Sequence, residues 1–377
     1  MDSLWVHKCV LAVLIQALGS LPDCLSALFN PRPTQNQAVT MKFNAFAAAG
    51  LLATGVLAHP KALPRSEIAR RGTMSKRCEA NAANFNKKRY DQRISKRHAE
   101  AKRAENATYT ITTEAPYYDV IQNDTCVLEP EVTWGPYVYP NSQTLRQDMS
   151  EGQPGVPLTL DVGVLDMATC EPLENVLVDF WHCNATGSYS SFTALSPNTP
   201  FLELLQSLNI SSDDYNIGVT DLHTDDTTFL RGMWPTDSNG MMEMKTIFPG
   251  FYVERSIHIH VRVYNNWVLR ENGTLSSGDI VSAGQLYFDE DLEEKIMALD
   301  PYVTHTEINR TTHAVDNIFA DSFAGGYDPV VSIVAADGED VTKGMIGYIT
   351  IGVDTTAIET HSLGGLNEPV DENGHDI

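Results

Sequence analysis

The sequence is short of cysteine and of apolar runs long enough to span a membrane. Only six of the 377 residues are Cys, and no two have the Cys-x-x-Cys spacing of a zinc site. The two main apolar runs lie within the first 58 residues, and both are short for a bilayer span of about 20 residues. Helical periodicity is also sparse, which argues against a bundle of helices.

Positive charge is scarce after residue 106. Nine of the 26 Lys and Arg but 42 of the 49 Asp and Glu lie beyond that point. This excess of acidic residues disfavours binding to phosphate-rich partners and to anionic membranes. The basic residues concentrate in dibasic groups over 60–105, but this stretch lacks the interleaved aromatics of a nucleic-acid-binding segment. We therefore expect no nucleic-acid partner.

The first 58 residues look like an upstream extension followed by a secretory signal. Met41 begins a good signal, in which Lys42 precedes an apolar run that ends in small residues before His59. We expect translation to start at Met41 and the mature protein to be secreted without a membrane anchor. Six glycosylation sequons agree with export: Asn106, Asn123, Asn184, Asn209, Asn272 and Asn309.

Three segments follow the signal. The basic segment 59–106 is either a pro-segment or mobile arm trimmed after export, or a solvated helix that packs on the acidic body. Residues 107–354 are expected to form one folded domain, and the acidic, aperiodic residues 355–377 a disordered tail. Four cysteines remain after the signal, and an even number in an exported chain favours disulfides. Cys170 and Cys183 flank a short turn-and-strand unit and are the preferred pair, with Cys78 and Cys126 as the second.

The body reads as an all-β sandwich with a few peripheral helices and a flexible N-terminal region. Short alternating segments are separated by Gly, Pro, Asn and Asp, as in sandwich strands. Strands are predicted at 158–166, 174–183, 242–250, 256–265, 330–337 and 344–354. Helices are predicted only at 199–209 and 289–300.

The most informative segment is PGFYVERSIHIH, at 249–260. In a strand, residues two apart project to the same face, so His258 and His260 point the same way and Ile259 points to the apolar side. Two neutral imidazoles on one rigid face can bind one transition metal. An isolated His-x-His motif more often belongs to an ordinary half-buried strand than to a metal site. Other motifs in the chain are therefore needed to support a metal site.

Several further motifs precede the His pair. GPY at 135–137 is followed by WHCNATGSYS at 181–190, and then by TDSNG and TIFPGFY. This order of motifs resembles that of the intradiol ring-cleavage dioxygenases, in particular the extracellular fungal members. The resemblance continues through GQLYFDE at 284–290 and into the last predicted strands, over about 230 residues.

This resemblance implies one Fe(3+) per chain, bound by two Tyr and two His. Carried over residue by residue, the ligands are Tyr189, Tyr252, His258 and His260. Phenolates are hard anionic donors that suit ferric iron, and no carboxylate follows the His pair as a cupin would require. Zinc hydrolysis is the weaker metal alternative.

The family also implies a small aromatic diol and O2 as the partners of the site. Tyr252 is the candidate general base, and Arg255 stabilises negative charge on the bound ring. Pro136 and Tyr137 are expected to line the substrate mouth. The expected reaction is ring cleavage between the two hydroxylated carbons, giving cis,cis-muconic acid-type products. The alternative is a catalytically silent secreted β-sandwich that binds aromatic or glycan ligands.

Overall fold

The computed structural model describes residues 65–101, 135–139, 144–269, 275–276, 278–322 and 328–356. The predicted signal, Cys126 and the acidic tail from residue 357 onward lie outside these residues, so the predictions for the signal and the tail stay open. The helices are α1 (Arg65–Ala101), α2 (Phe201–Ser207), α3 (Glu290–Met297) and α4 (Asn317–Ser322). The strands are β1 (Pro157–Asp166), β2 (Leu177–Trp181), β3 (Arg231–Pro235), β4 (Met241–Ile247), β5 (His258–Asn265), β6 (Val268–Leu269), β7 (Leu275–Ser276), β8 (Asp279–Tyr287), β9 (Ser332–Ala335) and β10 (Met345–Val353).

Two four-stranded sheets form the body, which confirms the predicted β-sandwich. The first sheet has the order β4-β1-β10-β9, and β1 and β10 are its one parallel pair. The second sheet has the order β3-β2-β5-β8 and is antiparallel throughout. Strands β6 and β7 pair separately as a short hairpin.

The core lies between the facing sides of the two sheets. Leu160 and Val162 of β1 and Ile259 and Val261 of β5 belong to one buried apolar cluster. Because side chains alternate along a strand, His258 and His260, which flank Ile259 in β5, lie on the opposite side of the second sheet. That outer side is also buried, in a second cluster that includes Trp181. The candidate site lies on this covered outer face.

Helix α1 packs against the first sheet. Whether the basic segment is trimmed after export stays a prediction. The Arg89 guanidinium is buried and contacts the Asp161 carboxylate at 3.0 Å and the Thr350 hydroxyl at 2.7 Å. Phe85 lies against Gly163, where an added Cβ would meet its ring at 2.3 Å. Within the described residues, no helix combines the length and the apolar character needed to cross a bilayer.

The predicted Cys170–Cys183 and Cys78–Cys126 disulfides are both wrong, because Cys170 is bonded to Cys78 of α1. Cys170 lies in the turn after β1 with a φ of 63°, beside the helix. Cys183 follows β2, and a strand advances about 3.3 Å per residue, so β2 carries Cys183 away from that turn. Its thiol is free and buried, and donates to the Gly250 carbonyl at 3.3 Å.

Candidate metal centre

Pairing across the second sheet places the polar side chains in rows. Trp181 of β2 is paired with Arg231 on one side and with His260 on the other. His260 is in turn paired with Gln285 of β8, and His258 with Tyr287. Because β5 and β8 alternate in step, the imidazoles of β5 and the amide and phenol of β8 share one face.

The two tyrosines reach this face from loops. Tyr189 lies in the connection between β2 and β3, and Tyr252 in the connection between β4 and β5. The loops touch through two glycines: a Cβ on Gly187, which has a φ of 86°, would meet the Phe251 carbonyl at 2.3 Å. A Cβ on Gly250 would meet the carbonyl of Asn184 at 2.5 Å. Glycine is therefore required for this close approach of the loops.

All four predicted ligands converge. The Nε2 atoms of His258 and His260 are 3.1 Å apart, and Tyr252 Oη is 3.3 Å from His258 Nε2. The Tyr189 ring centroid lies 5.6 Å from that of Tyr252 and 6.2 Å from that of His260. If two imidazole nitrogens each bind the same ion at about 2.1 Å and the nitrogen–ion–nitrogen angle is about 90°, the nitrogens lie about 3 Å apart. The residues therefore fit a single shared ion.

Both imidazole rings are oriented by contacts on the side away from the centre. His258 Nδ1 is 2.7 Å from the Ser256 carbonyl, so it carries the proton and leaves the Nε2 lone pair facing the centre. His260 is stacked on Trp181, with centroids 4.7 Å apart and planes 2° apart. The buried Tyr189 hydroxyl has no hydrogen-bond partner among the described residues. An unsatisfied buried hydroxyl is costly, and a metal ion would satisfy it.

Burial fixes the protonation of these groups. It lowers the pKa of both imidazoles, and the Arg255 charge lowers them further, so both are neutral donors at neutral pH. Burial raises the pKa of the Tyr252 phenol to about 12, although Arg255 opposes the rise. It also raises the pKa of Tyr189 well above its usual value. A cation would have to displace the phenol protons in order to bind.

Arg255 lies at the edge of the centre, as the sequence predicted. Its Nη1 is 3.4 Å from Tyr252 Oη, and its Nη2 donates to Gln285 Oε1 at 2.5 Å. Its Nε donates to Asp316 Oδ2 at 3.0 Å. Burial acts to lower the pKa of Arg255, but the adjacent Tyr252 and Asp316 outweigh it and raise that pKa. The guanidinium is a permanent charge facing the Tyr252 hydroxyl.

Sequence reasoning missed three residues of this network. Gln285 and Tyr287 come from β8, in which Ser282, Ala283 and Gly284 weaken the alternating pattern. The phenol of Tyr287 donates to Gln285 Oε1 at 2.9 Å. Asp316 lies 61 residues from Arg255 in a loop with no strand pattern. The alternating Gln-x-Tyr in GQLY was the one available signal for the β8 pair.

Of the two predicted mouth residues, Tyr137 is placed against the centre. Its ring is stacked on Tyr189, with centroids 4.4 Å apart, and meets the Tyr252 ring edge-on at 5.7 Å. Arg231 holds this segment by donating to the Tyr137 carbonyl at 2.8 Å. Pro136 is half-buried beside it, and its contact with substrate stays a prediction.

A second group of potential ligands lies elsewhere in the part of the chain described. Ligand atoms of Glu290, Glu293 and His313 lie within 4.8 Å of one another. Arg310 already occupies that group, with Nη1 2.5 Å from a Glu293 carboxylate oxygen and 3.5 Å from one of Glu290. The cluster is thus an ion-pair network of the protein itself, centred on the buried Glu293 carboxylate.

Comparison with known proteins gives a consistent family match. Residues 135–264 match the family model Dioxygenase_C, described as a dioxygenase, and this segment contains all four Tyr and His residues and Arg255. This match agrees with the resemblance to dioxygenases seen in the motifs, and the extracellular fungal type stays a prediction. Gln285 and Asp316 lie outside the matched segment. No curated protein sequence matches the chain.

Several solved structures are similar to this chain. An intradiol ring-cleavage dioxygenase from Tetranychus urticae is 24% identical, with a TM-score of 0.48, over 63% of this chain and 98% of that one. The dioxygenase domain of a carbohydrate-binding fusion from Streptomyces sp. SirexAA-E is 23% identical, with a TM-score of 0.34, over 60% and 98%. A 3-chlorocatechol 1,2-dioxygenase from Rhodococcus opacus 1CP is 16% identical, with a TM-score of 0.34, over 60% and 71%.

Proposed function

We propose that this chain, whose residues 135–264 match the dioxygenase family model, is a secreted, Fe(III)-dependent intradiol ring-cleavage dioxygenase that cleaves catechol-type diols with O2. The observation that carries the proposal is the meeting of two neutral imidazole nitrogens, 3.1 Å apart, with two buried phenols. Tyr189, Tyr252, His258 and His260 would hold one ferric ion. The expected products are of the cis,cis-muconic acid type.

The donor set supports ferric iron in particular. Two phenolates are hard anionic ligands that stabilise Fe(III) over Fe(II), and the two imidazoles add no charge. When bound, ferric iron would supply the Lewis acidity that draws the diol oxygens and their electron density to the site.

Tyr252 is suited to move a proton. Its Oη lies between His258 Nε2 and Arg255 Nη1, at 3.3 and 3.4 Å. As a phenolate, Tyr252 Oη can accept a proton from an entering diol hydroxyl. Arg255 then faces the negative charge that remains on the diol, and it cannot lose its own charge.

Tyr137 gives the site its selectivity for a flat ring. Its side chain is buried and stacked on Tyr189 at the edge of the centre. Such a wall accepts an aromatic ring and excludes water from the reacting atoms. We propose that Tyr137, with Pro136 beside it, orients the diol.

Secretion is supported by the sequence of the predicted signal and by the chemistry of the cysteines. The Cys78–Cys170 disulfide closes a sequence separation of 92 residues. Disulfides of this kind persist in oxidising compartments.

The proposal is tested by colour, iron content and oxygen uptake on the purified protein. About one iron per chain, a visible phenolate-to-iron absorption band and O2 uptake with a panel of catechols are expected. Tyr189→Phe and Tyr252→Phe should each bleach or shift the band. Tyr264→Phe is the matched control, because Tyr264 is equally buried beneath Arg262, on the outer face of the second sheet but away from the four ligands.

A colourless, iron-replete preparation would overturn the proposal. Binding of an aromatic diol with no oxygen uptake would favour the catalytically silent binding protein instead.

A further inference from the structure

We propose that Asp316 is a positioning residue, which sets both the Arg255 guanidinium and the backbone that orients His258. The inference rests on the proposed function and adds to it a residue outside the segment that matches the family. Asp316 is 3% exposed and directly precedes α4. It is the buried carboxylate in contact with Arg255.

The two carboxylate oxygens of Asp316 have separate tasks. Oδ1 accepts from the backbone N–H groups of Ile318 at 2.9 Å and Phe319 at 3.3 Å, which caps the start of α4. Oδ2 faces the other way and accepts from Arg255 Nε at 3.0 Å. It also accepts from Ser256 N at 2.9 Å and Ser256 Oγ at 2.8 Å. A helix cap needs Oδ1 alone, so the three bonds to Oδ2 require another explanation.

For Arg255, these bonds decide which edge of the guanidinium faces the centre. A guanidinium is a planar fork with five N–H donors in fixed directions. Asp316 engages Nε, and Gln285 engages Nη2 at 2.5 Å. The planar group is thereby held at two corners, and Nη1 is the corner turned toward Tyr252 Oη, at 3.4 Å. Without Asp316, one corner alone would be held.

For His258, the same carboxylate acts through Ser256. The Ser256 carbonyl accepts the Nδ1 proton of His258 at 2.7 Å, and this bond aims the opposite nitrogen at the centre. Asp316 fixes the Ser256 backbone through its N–H and side chain together. One carboxylate just before α4 therefore aligns a charged donor and an imidazole, both of which contact Tyr252 Oη.

The decisive variant is Asp316→Asn, which keeps the size of the side chain and one oxygen for the cap. The amide carries no charge and has one oxygen, so in either orientation Arg255 loses its ion pair, and the cap and the Oδ2 donors cannot both be satisfied. We expect kcat to fall about 10- to 100-fold, the cost typical of misplaced charge-stabilising groups, with KM changed less than about 3-fold. We also expect the visible band of the anaerobic diol complex to shift, while iron content stays at the wild-type value.

Asp289→Asn is the matched control. Asp289 caps α3 by accepting from the backbone N–H of Asp291 and Leu292, and its carboxylate has no contact with Arg255 or Ser256. Because Asn caps a helix about as well as Asp does, this variant should leave stability, kcat and the band of the diol complex unchanged.

The outcomes distinguish the positioning role of Asp316 from the proposed dioxygenase function. Wild-type kcat and an unshifted band in Asp316→Asn overturn the positioning role while the enzyme assignment stands. A colourless and inactive wild-type protein removes the proposed function and this inference together. If Asp316→Asn does not fold, Ser256→Ala decides, because it deletes one bond to Oδ2 and leaves the α4 cap in place. A fall of about 3- to 10-fold in kcat with a shifted band supports the role, and wild-type values overturn it.

Discussion

At the scale of single residues, burial determines which groups carry a proton. His182 lies next to the site in sequence but is not part of it, because both ring nitrogens are engaged. Nδ1 is 2.7 Å from the Cys183 carbonyl and Nε2 is 2.7 Å from the Thr246 hydroxyl. Burial lowers its pKa from 6.5 to about 4. The native protein therefore keeps His182 neutral at pH values at which the unfolded chain protonates it.

His182 should make stability depend on pH in the acidic range. The unfolded chain binds this proton as the pH falls below 6.5, and the native state resists it until about pH 4. Stability is therefore complete above the unfolded pKa and decreases as pH falls through this window, by about 3 kcal/mol at most. We expect His182→Gln, which cannot be protonated, to show a shallower dependence in urea unfolding measured at pH 6.5 and 4.5. If the free energy of unfolding fell by the same amount between pH 6.5 and 4.5 in the variant and in the wild type, this account would be contradicted.

Single residues also show the limit of reading the site from sequence. Motif order identified the four Tyr and His residues and Arg255, which lie within 72 positions of one another. Asp316 escaped because its role depends on a long-range contact made by a loop, which leaves no periodic trace. The disulfide prediction failed for a related reason, since the partner of Cys170 comes from a helix 92 residues away rather than from the nearest strand.

At the scale of elements, long alternating segments were predicted well and broken ones were not. Strands β1, β5 and β10 lie within a residue or two of their predicted bounds, and α2 and α3 lie inside the two predicted helical segments. Strand β3 was missed because RGMWP contains both Gly and Pro, which usually break strands. Whether α1 packs on the body could not be decided from the sequence, because its apolar residues do not form a clear stripe along one face of the helix. Its attachment comes from one disulfide, from apolar contacts such as that of Phe85 with the first sheet, and from polar contacts such as that of Arg89.

Helix α1 should therefore depend on Arg89 more than on its exposed cations. Arg89→Met removes the cation from a buried ion pair with Asp161 and two further bonds to the first sheet. Loss of one partner of such a pair costs about 3–5 kcal/mol. Its neighbour Lys88 is exposed and bonds only to Asn239 among the contacts described for it, so Lys88→Met should stay within about 0.5 kcal/mol. Equal midpoints of urea unfolding for the two variants would show that α1 is not docked through Arg89.

At the scale of the whole molecule, the candidate centre joins parts of the chain that are far apart in sequence. Its residues come from the loop after β2, the loop after β4 and from β5 itself. An ion held by all of them binds the folded chain and not the unfolded one, and this shifts the folding equilibrium toward the native state. At a free-ion concentration 100 times the dissociation constant, the gain is about 2.7 kcal/mol. The two loops should respond more than the first sheet, which contributes no ligand.

Removal of iron by a chelator should accordingly lower the thermal midpoint of the wild-type protein. Hydrogen exchange should accelerate first in the loops around Tyr189 and Tyr252, while amides of β1 and β10 keep their protection. Tyr189→Phe should show a smaller shift on chelation, because it keeps three of the four donors and binds the ion less tightly. Tyr264→Phe should respond as the wild type does, since its phenol lies outside the centre. A chelator that leaves both the midpoint and the loop exchange unchanged would mean that no ion links these loops, because any ion bound to four buried side chains must stabilise the state that assembles them.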